Sequence, residues 1–308
     1  MKCLKTVGSF SIFPFSFSLL WVASIITLSA GAQPRVGPDE VAALLARVGD
    51  RVERYYARAQ SIMCLETVRL QPMASDFSPD GRAREIVYEL RVAWDPAPSA
   101  DAPPDASVTR QVRTVDGRPP RPGDEPRCTD PQAVASEPLA MLLPSRRQRY
   151  AFSWAGTGRV DRRATLMLEY KTLASPPADI KWRGECVDIS PGRVQGRVWI
   201  DAASADVLRL DERLVRTIEV RVPRELLRVS GAGWLNLERA ESSIRYRPVT
   251  FHDPDETVML PVSMETFSII RGAAVPRLRT THVFTKYQRF LTDGRIVRAS
   301  GARVPSVD

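Results

Sequence analysis

Two histidines are the only imidazoles the chain offers for proton transfer or metal binding. His252 sits in His252-Asp253-Pro254-Asp255-Glu256, an oxygen-rich run of a kind that can hold a hard cation weakly. The same residue types end strands, because Pro cannot donate to a ladder and Asp bonds its own backbone, and the turn is the stronger reading. His282 falls in phase with Leu278 and Phe284. In a cavity it would meet a ligand headgroup, whereas at the edge of a core it would be a hydrogen-bonded structural residue. Neither histidine has a Ser or Cys placed to suggest a nucleophile pair. Gly-x-Ser-x-Gly, Gly-x-x-x-x-Gly-Lys-Ser/Thr and His-Glu-x-x-His do not occur. Gly231-Ala232-Gly233 reads as a turn and Gly156-Thr157-Gly158 as a hairpin loop. The carboxylates alternate with arginines on solvated faces. The expectation is a non-catalytic protein without a metal or cofactor.

Cysteine and tryptophan supply the remaining chemistry. Beyond Cys3 the chain carries Cys64, Cys128 and Cys186, with no Cys-x-x-Cys spacing for zinc or redox work. In an oxidising compartment one pair and one left-over thiol are expected. Cys128–Cys186 is favoured, because Cys128 lies in a Pro-rich loop that a tether would steady. Cys64, between Ile62, Met63 and Leu65, reads as a buried thiol, and the sequence leaves the other pairings open. Trp94, Trp154, Trp182, Trp199 and Trp234 fall on separate strands or their ends, where either a core or an apolar pocket uses them. Trp199 differs, since its phase puts it with Arg193 and Arg197 on a polar face.

The compartment follows from the first residues. Lys2 and Lys5 precede an apolar stretch from Phe10 to Ala30, and Ala30-Gly31-Ala32 places small residues at the −3 and −1 positions before Gln33. Residues 1–32 therefore read as a cleaved signal peptide and the protein as periplasmic or secreted. An uncleaved anchor is the rival, weakened by Pro14 and the serines. The net charge is +8, almost all of it from Arg. These cations are interleaved with acids, as in Arg209-Leu210-Asp211-Glu212-Arg213, rather than gathered in a stripe, so nucleic acid is excluded as a partner.

The elements that must position these residues are mostly strands. A helix over 38–60 is expected from Pro38, Asp39 and Glu40 at its start and from the stripe Val41, Leu44, Leu45, Val48, Val52, Tyr55. Period-two alternation then marks strands near 61–71, 84–94, 107–115, 148–154, 164–171, 181–188, 193–200, 207–214, 234–251, 256–271 and 277–291. A short helix is expected at 138–143, and irregular or mobile loops at 95–106 and 116–131. The fold class is α+β, mostly antiparallel β: an open half-barrel wrapped around the N-terminal amphipathic helix. A closed membrane barrel is the weaker alternative, since it leaves the helix unexplained. Residues 33–293 form one domain and 294–308 a frayed tail.

With this layout, Gly196-Arg197-Val198-Trp199-Ile200-Asp201 followed by Asp206-Val207-Leu208-Arg209-Leu210 resembles the central hairpin of the periplasmic lipoprotein-carrier (LolA/LolB-like) superfamily. The run from Val249-Thr250-Phe251-His252 to Tyr287-Gln288-Arg289-Phe290 resembles exported proteins of the same type. The resemblance implies a concave apolar face able to hold acyl chains, with a hydrophobic ligand or lipidated protein as partner and only transient membrane contact. No ligand residue of the family maps onto this chain. The inward positions by phase are Leu90, Leu168, Val198, Leu210 and Leu260, with His282 as a candidate headgroup contact. The alternative is an envelope interaction or sensor module with a filled core. Amino-terminal sequencing of the exported protein is expected to begin at Gln33; a chain that still begins at Met1 would establish the anchor instead.

Overall fold

A computed structural model describes residues 36–58, 61–95, 105–124, 126–131, 138–173, 177–252, 255–290 and 296–298. The expected signal peptide and most of the first Pro-rich loop lie outside these. The chain from Val36 onward forms one compact unit. Helix α1 (Pro38–Arg58) is followed by β1 (Ser61–Pro72), β2 (Arg84–Asp95) and β3 (Asp105–Val115). After a 3-10 turn (Pro138–Leu142) and the one-turn helix α2 (Pro144–Arg147) come β4 (Tyr150–Val160), β5 (Arg163–Thr172), β6 (Asp179–Arg183) and β7 (Cys186–Ser190). Next are β8 (Val194–Asp201), β9 (Val207–Leu214), β10 (Ile218–Arg221), and the one-turn α3 (Leu227–Ser230). The chain finishes with β11 (Trp234–Phe251), β12 (Glu256–Arg271), β13 (Arg277–Phe290) and β14 (Ile296–Arg298).

All pairings are antiparallel. The main sheet runs β3-β2-β1-β13-β12-β11-β9-β8-β5-β4, with β10 added on β11 and β14 on β13. It curls without closing, so β3 and β4 are edges, and it is not a barrel. One row crosses its ten main strands in register: Trp154, Leu168, Val198, Leu210, Ile244, Met264, His282, Val68, Ile86 and Val115. That row marks the concave face. Over its β4–β11 half lies α1, whose Val41, Leu44, Leu45, Val48 and Val52 are buried against Leu168, Val198, Ile200 and Leu210. Each such side chain contributes about 1.5–3 kcal/mol on leaving water. The stripe turns slightly from the expected one, with Tyr56 buried and Tyr55 half-buried. Gly49 lets the helix press on the turn that follows it in the core, since a Cβ there would lie 3.3 Å from the Leu142 carbonyl oxygen. Arg51 fixes the helix to the β8–β9 turn through two hydrogen bonds, 2.7 and 2.9 Å, to the Asp206 carboxylate.

Three local expectations are corrected. The segment 181–188 is a hairpin rather than one strand, because Gly184 at φ +58° reverses the chain between β6 and β7. Gly156 and Gly158 lie inside β4, where Gly156 at φ +103° serves a bulge. The turn falls instead at Asp161-Arg162, both at positive φ, the two-residue geometry that suits strand twist. The loop 116–131 is irregular but pinned: Arg118 grips Asp124 at 2.7 and 2.9 Å, Arg84 donates to Asp130 at 3.0 Å, and Cys128 is bonded to Cys186. Within the segment expected to fray, Ile296–Arg298 pairs with β13.

Hairpin β6–β7, held by that disulfide, covers Val220, Val222 and Leu235 with Trp182, Val187 and Ile189. Gly196 lies under the Tyr170 ring, so any Cβ there would meet the Asp211 carbonyl oxygen at 2.0 Å and the ring at 2.7 Å. Gly196→Ala is expected to cost about 3 kcal/mol in urea unfolding; an unchanged midpoint would show that the Asp211 backbone and the Tyr170 ring both give way without cost.

Candidate functional site

The residues named from sequence separate into three environments. Leu168, Val198 and Leu210 are neighbours on the row under α1 and are essentially without exposure. Leu90 and Leu260 belong to a second cluster, with Ile62, Cys64, Phe251, Val258 and Tyr287, where the β11–β12 hairpin tip folds over the ends of β1 and β2. Protein side chains therefore surround each of the five apolar positions. The hairpin tip is fastened by Tyr287, whose hydroxyl donates to the Pro261 carbonyl, and by Glu256, which takes ion pairs from Arg58 and Arg289.

His282 lies in neither cluster's apolar contacts alone. Its Nδ1 is 2.8 Å from Glu66 Oε1, and Glu66 is wholly buried. Arg110 donates from Nε to Glu66 Oε2 at 2.7 Å and from Nη2 to Oε1 at 3.2 Å. A buried triad thus joins β1, β3 and β13 in the middle of the concave face. Burial by itself would raise the Glu66 carboxyl, but hydrogen bonds from His282 and Arg110 and the charge of Arg110 outweigh it and hold the group below its ordinary value. Cys64 is unpaired and buried, and burial drives its thiol upward, followed by the nearby Glu66 charge. Such a thiol is a poor nucleophile despite its place near a histidine and a carboxylate. Sequence inspection missed Glu66 and Arg110. The available signal was a charge on the buried phase of each strand: Glu66 between Cys64 and Val68, Arg110 between Val108 and Val112.

The open site is on the other face. A groove of about 890 Å³ is lined by Glu169, Lys171, Arg197, Trp199, Arg209, Asp211, Arg213, Ser243, Glu265 and Phe267, among others. These positions alternate with core residues along β5, β8, β9, β11 and β12, so they project away from α1. Trp199 is the centre: the Arg209 guanidinium carbon is 4.7 Å and that of Arg197 5.7 Å from its ring centroid. Arg209 is held by Asp211 at 2.7 Å through both donors, Asp211 also accepts from Ser243 at 2.7 Å, and Arg197 bonds Glu169 at 2.5 Å. Phe77, on the β1–β2 connection, stacks edge-on against Phe267 at 5.7 Å. This is an open platform whose cations and carboxylates alternate around an aromatic centre. On the concave side of the same strands, Tyr170 donates to Glu212 at 2.9 Å; burial raises the Glu212 carboxyl, a rise that this bond opposes.

Among the other candidates, His252 Nδ1 bonds Asp255 at 2.7 Å across an exposed turn. Trp154 packs on the α1 core and Trp182 on the β6–β7 core, while Trp234 is half exposed beneath Arg221. Among the described residues no helix is long and apolar enough to cross a membrane. The Cys128–Cys186 bond is of the kind that persists in oxidising compartments.

The geometry on the page is that of a curled antiparallel sheet seated on an N-terminal helix, and solved structures with a similar architecture exist. A LolA superfamily protein from Nitrosomonas europaea aligns with 11% identity and TM-score 0.32, over 81% of this chain and 95% of that one. A putative outer membrane lipoprotein-sorting protein domain from Vibrio parahaemolyticus gives 10%, 0.35, 80% and 91%. A DUF1329 family protein from Desulfovibrio piger gives 8%, 0.37, 82% and 94%. At these scores the likeness is one of fold outline and carries no argument about ligands. No family model and no curated protein matches the sequence.

The triad makes stability depend on acid. Because Glu66 titrates lower in the folded chain than its ordinary 4.5, its stabilising contribution is complete above that value and is lost as pH falls through the lower folded value. Equilibrium unfolding of Glu66→Gln should show a loss of about 3 kcal/mol at neutral pH and a flatter profile below pH 4.5. Parallel acid profiles for the two proteins would remove Glu66 from the account.

Proposed function

We propose that this chain is an exported, non-catalytic binding protein whose ligand sits in the groove around Trp199, and that the ligand is a segment of a partner polypeptide. One contrast carries the reading. The concave face is filled, with Leu168 and Val198 at 0% exposure beneath α1, while the opposite face presents an open groove of about 890 Å³. That volume lies within the roughly 300–1,000 Å³ of ligand sites. Its lining alternates cation and anion beside Trp and Phe, which matches a polypeptide of mixed charge better than an acyl chain. Fixed ion pairs such as Arg209–Asp211 offer fork and carboxylate geometry without rearrangement.

A second reading places a lipid or lipidated partner on the concave face. The observation favouring it is the seat of α1: apart from the Arg51–Asp206 and Arg58–Glu256 ion pairs, the helix packs through apolar side chains that an acyl chain can imitate at about 0.8 kcal/mol per CH₂. It requires α1 to lift.

Native mass spectrometry of the protein purified from its own host without detergent distinguishes the two. A bound polypeptide mass that disappears in Ser243→Trp, which fills the groove, supports the first reading. Added lipid mass, together with increased uptake of a dansyl fatty acid by Arg51→Ala, supports the second and retires the first.

A further inference from the structure

One end of the sheet brings exposed aliphatic side chains and cations into a single row. The ladder continues one residue past the strand ends, through a hydrogen bond from Leu173 N–H to the Arg149 carbonyl at 2.8 Å and one from Val215 N–H to the Arg193 carbonyl at 3.4 Å. Lys171 pairs with Gln195 and Val194 with Leu214, so Arg149, Leu173, Arg193 and Val215 form a single terminal row across β4, β5, β8 and β9. Lys171 and Arg213 stand one step behind it on the same face, at the lower end of the groove. Leu173 is 57% and Val215 39% exposed, two large aliphatic side chains with an arginine between them.

Four cations flank these two side chains. Arg197, Arg209 and Arg239 on the same face each hold a carboxylate. Arg149, Lys171, Arg193 and Arg213 make no ion pair among the described residues. The acid nearest by register, Glu241 opposite Arg213, spends both oxygens on Arg239 at 2.8 Å. Exposed aliphatic side chains set among unneutralised cations on one flat row match the boundary of an anionic bilayer, where apolar groups reach the acyl region and cations stay at the phosphates. An acidic protein would use the charges but leave Leu173 and Val215 without a role.

We infer that this sheet end is a docking surface for an anionic membrane, which the terminal row meets with Leu173 and Val215 inserted and Arg149, Lys171, Arg193 and Arg213 on phosphate. The surface shares Lys171 and Arg213 with the groove, while Arg149, Leu173, Arg193 and Val215 lie outside it. Contact is peripheral and reversible, because four cations and two aliphatic groups fall far short of a membrane-spanning helix. Binding weakens as salt screens the charges, over a Debye length of about 10 Å at 0.1 M.

Vesicle co-sedimentation tests this with the chain from Gln33 onward, which contains the whole compact unit. Phosphatidylglycerol–phosphatidylethanolamine vesicles are expected to bind about tenfold more tightly than phosphatidylcholine vesicles at low salt, with the preference gone at high salt. Arg193→Glu with Arg213→Glu should abolish the preference. Leu173→Asp, an exposed substitution that leaves the cations in place, should lower binding severalfold, with circular dichroism and melting unchanged as the control for folding. Equal binding to both vesicle types, or undiminished binding by either variant, overturns the inference. Binding of polyglutamate without binding of vesicles also overturns it and assigns the surface to an acidic protein.

Discussion

A twisted antiparallel sheet that curls without closing has one apolar face that must be covered, and in this chain every other feature answers to that constraint. The twelve strands supply a concave face on which a row of side chains runs edge to edge. Helix α1 covers the β4–β11 half. The hairpin tip of β11 and β12 folds over the ends of β1 and β2, and the β6–β7 hairpin caps the far end. Each cover is attached differently: α1 by apolar burial and a bidentate Arg51–Asp206 pair, the tip by Glu256 and Tyr287, the hairpin by a disulfide. Hydrophobic burial is non-directional. The polar attachments therefore set where each cover sits, while the apolar contacts supply most of its stability.

The two faces of the sheet consequently do different work. On the concave side Arg110, Glu66 and His282 form a buried cluster that ties strands from opposite ends of the chain. On the convex side the charges around Trp199 are paired but exposed to solvent, and they frame an aromatic platform. A charge pair in water is worth little to stability. Its value there is geometric, since Asp211 and Glu169 hold Arg209 and Arg197 against Trp199 and leave a defined surface.

The strands, the leading helix and the Cys128–Cys186 pair were legible in the sequence because each leaves a local mark: period two, a stripe at three and four, a cysteine in a Pro-rich loop. The helix over one half of the apolar face was expected from its amphipathic stripe, whereas the hairpins that cover the rest were not legible. Alternation at Leu168, Val198 and Leu210 states that water is excluded from one side, and it reads the same whether a helix, a hairpin or an acyl chain excludes it. Glu66 and Arg110 broke the pattern visibly, yet their pair reaches from β1 to β3 across β2, and the contact of Glu66 with His282 depends on β1 lying beside β13, residues 216 apart. The β6–β7 hairpin was read as one strand because Gly184 needs only a single positive φ to reverse the chain, and one glycine within an alternating run is weak evidence of a turn. Trp199 stood out for the opposite reason: a large aromatic on the arginine-bearing phase has no core to fill.

The pairing of β1 with β13 gives the molecule an order of assembly. Cys64 lies on β1, and its sealing cluster includes Leu260 and Tyr287 from the last third of the chain. If the chain is exported as proposed, Cys64 and Cys128 reach the oxidising space together before Cys186, and a bridge between these two is the first one available. The native bond skips Cys64. Thiol–disulfide exchange runs through exposed thiolates, so the first thiol remains an exchanger until the final long strands close over it. Long-range sheet contacts of this kind form slowly. In the completed sheet Cys64 lies under Leu260 and Tyr287, which withdraws the thiol that could undo the native bond.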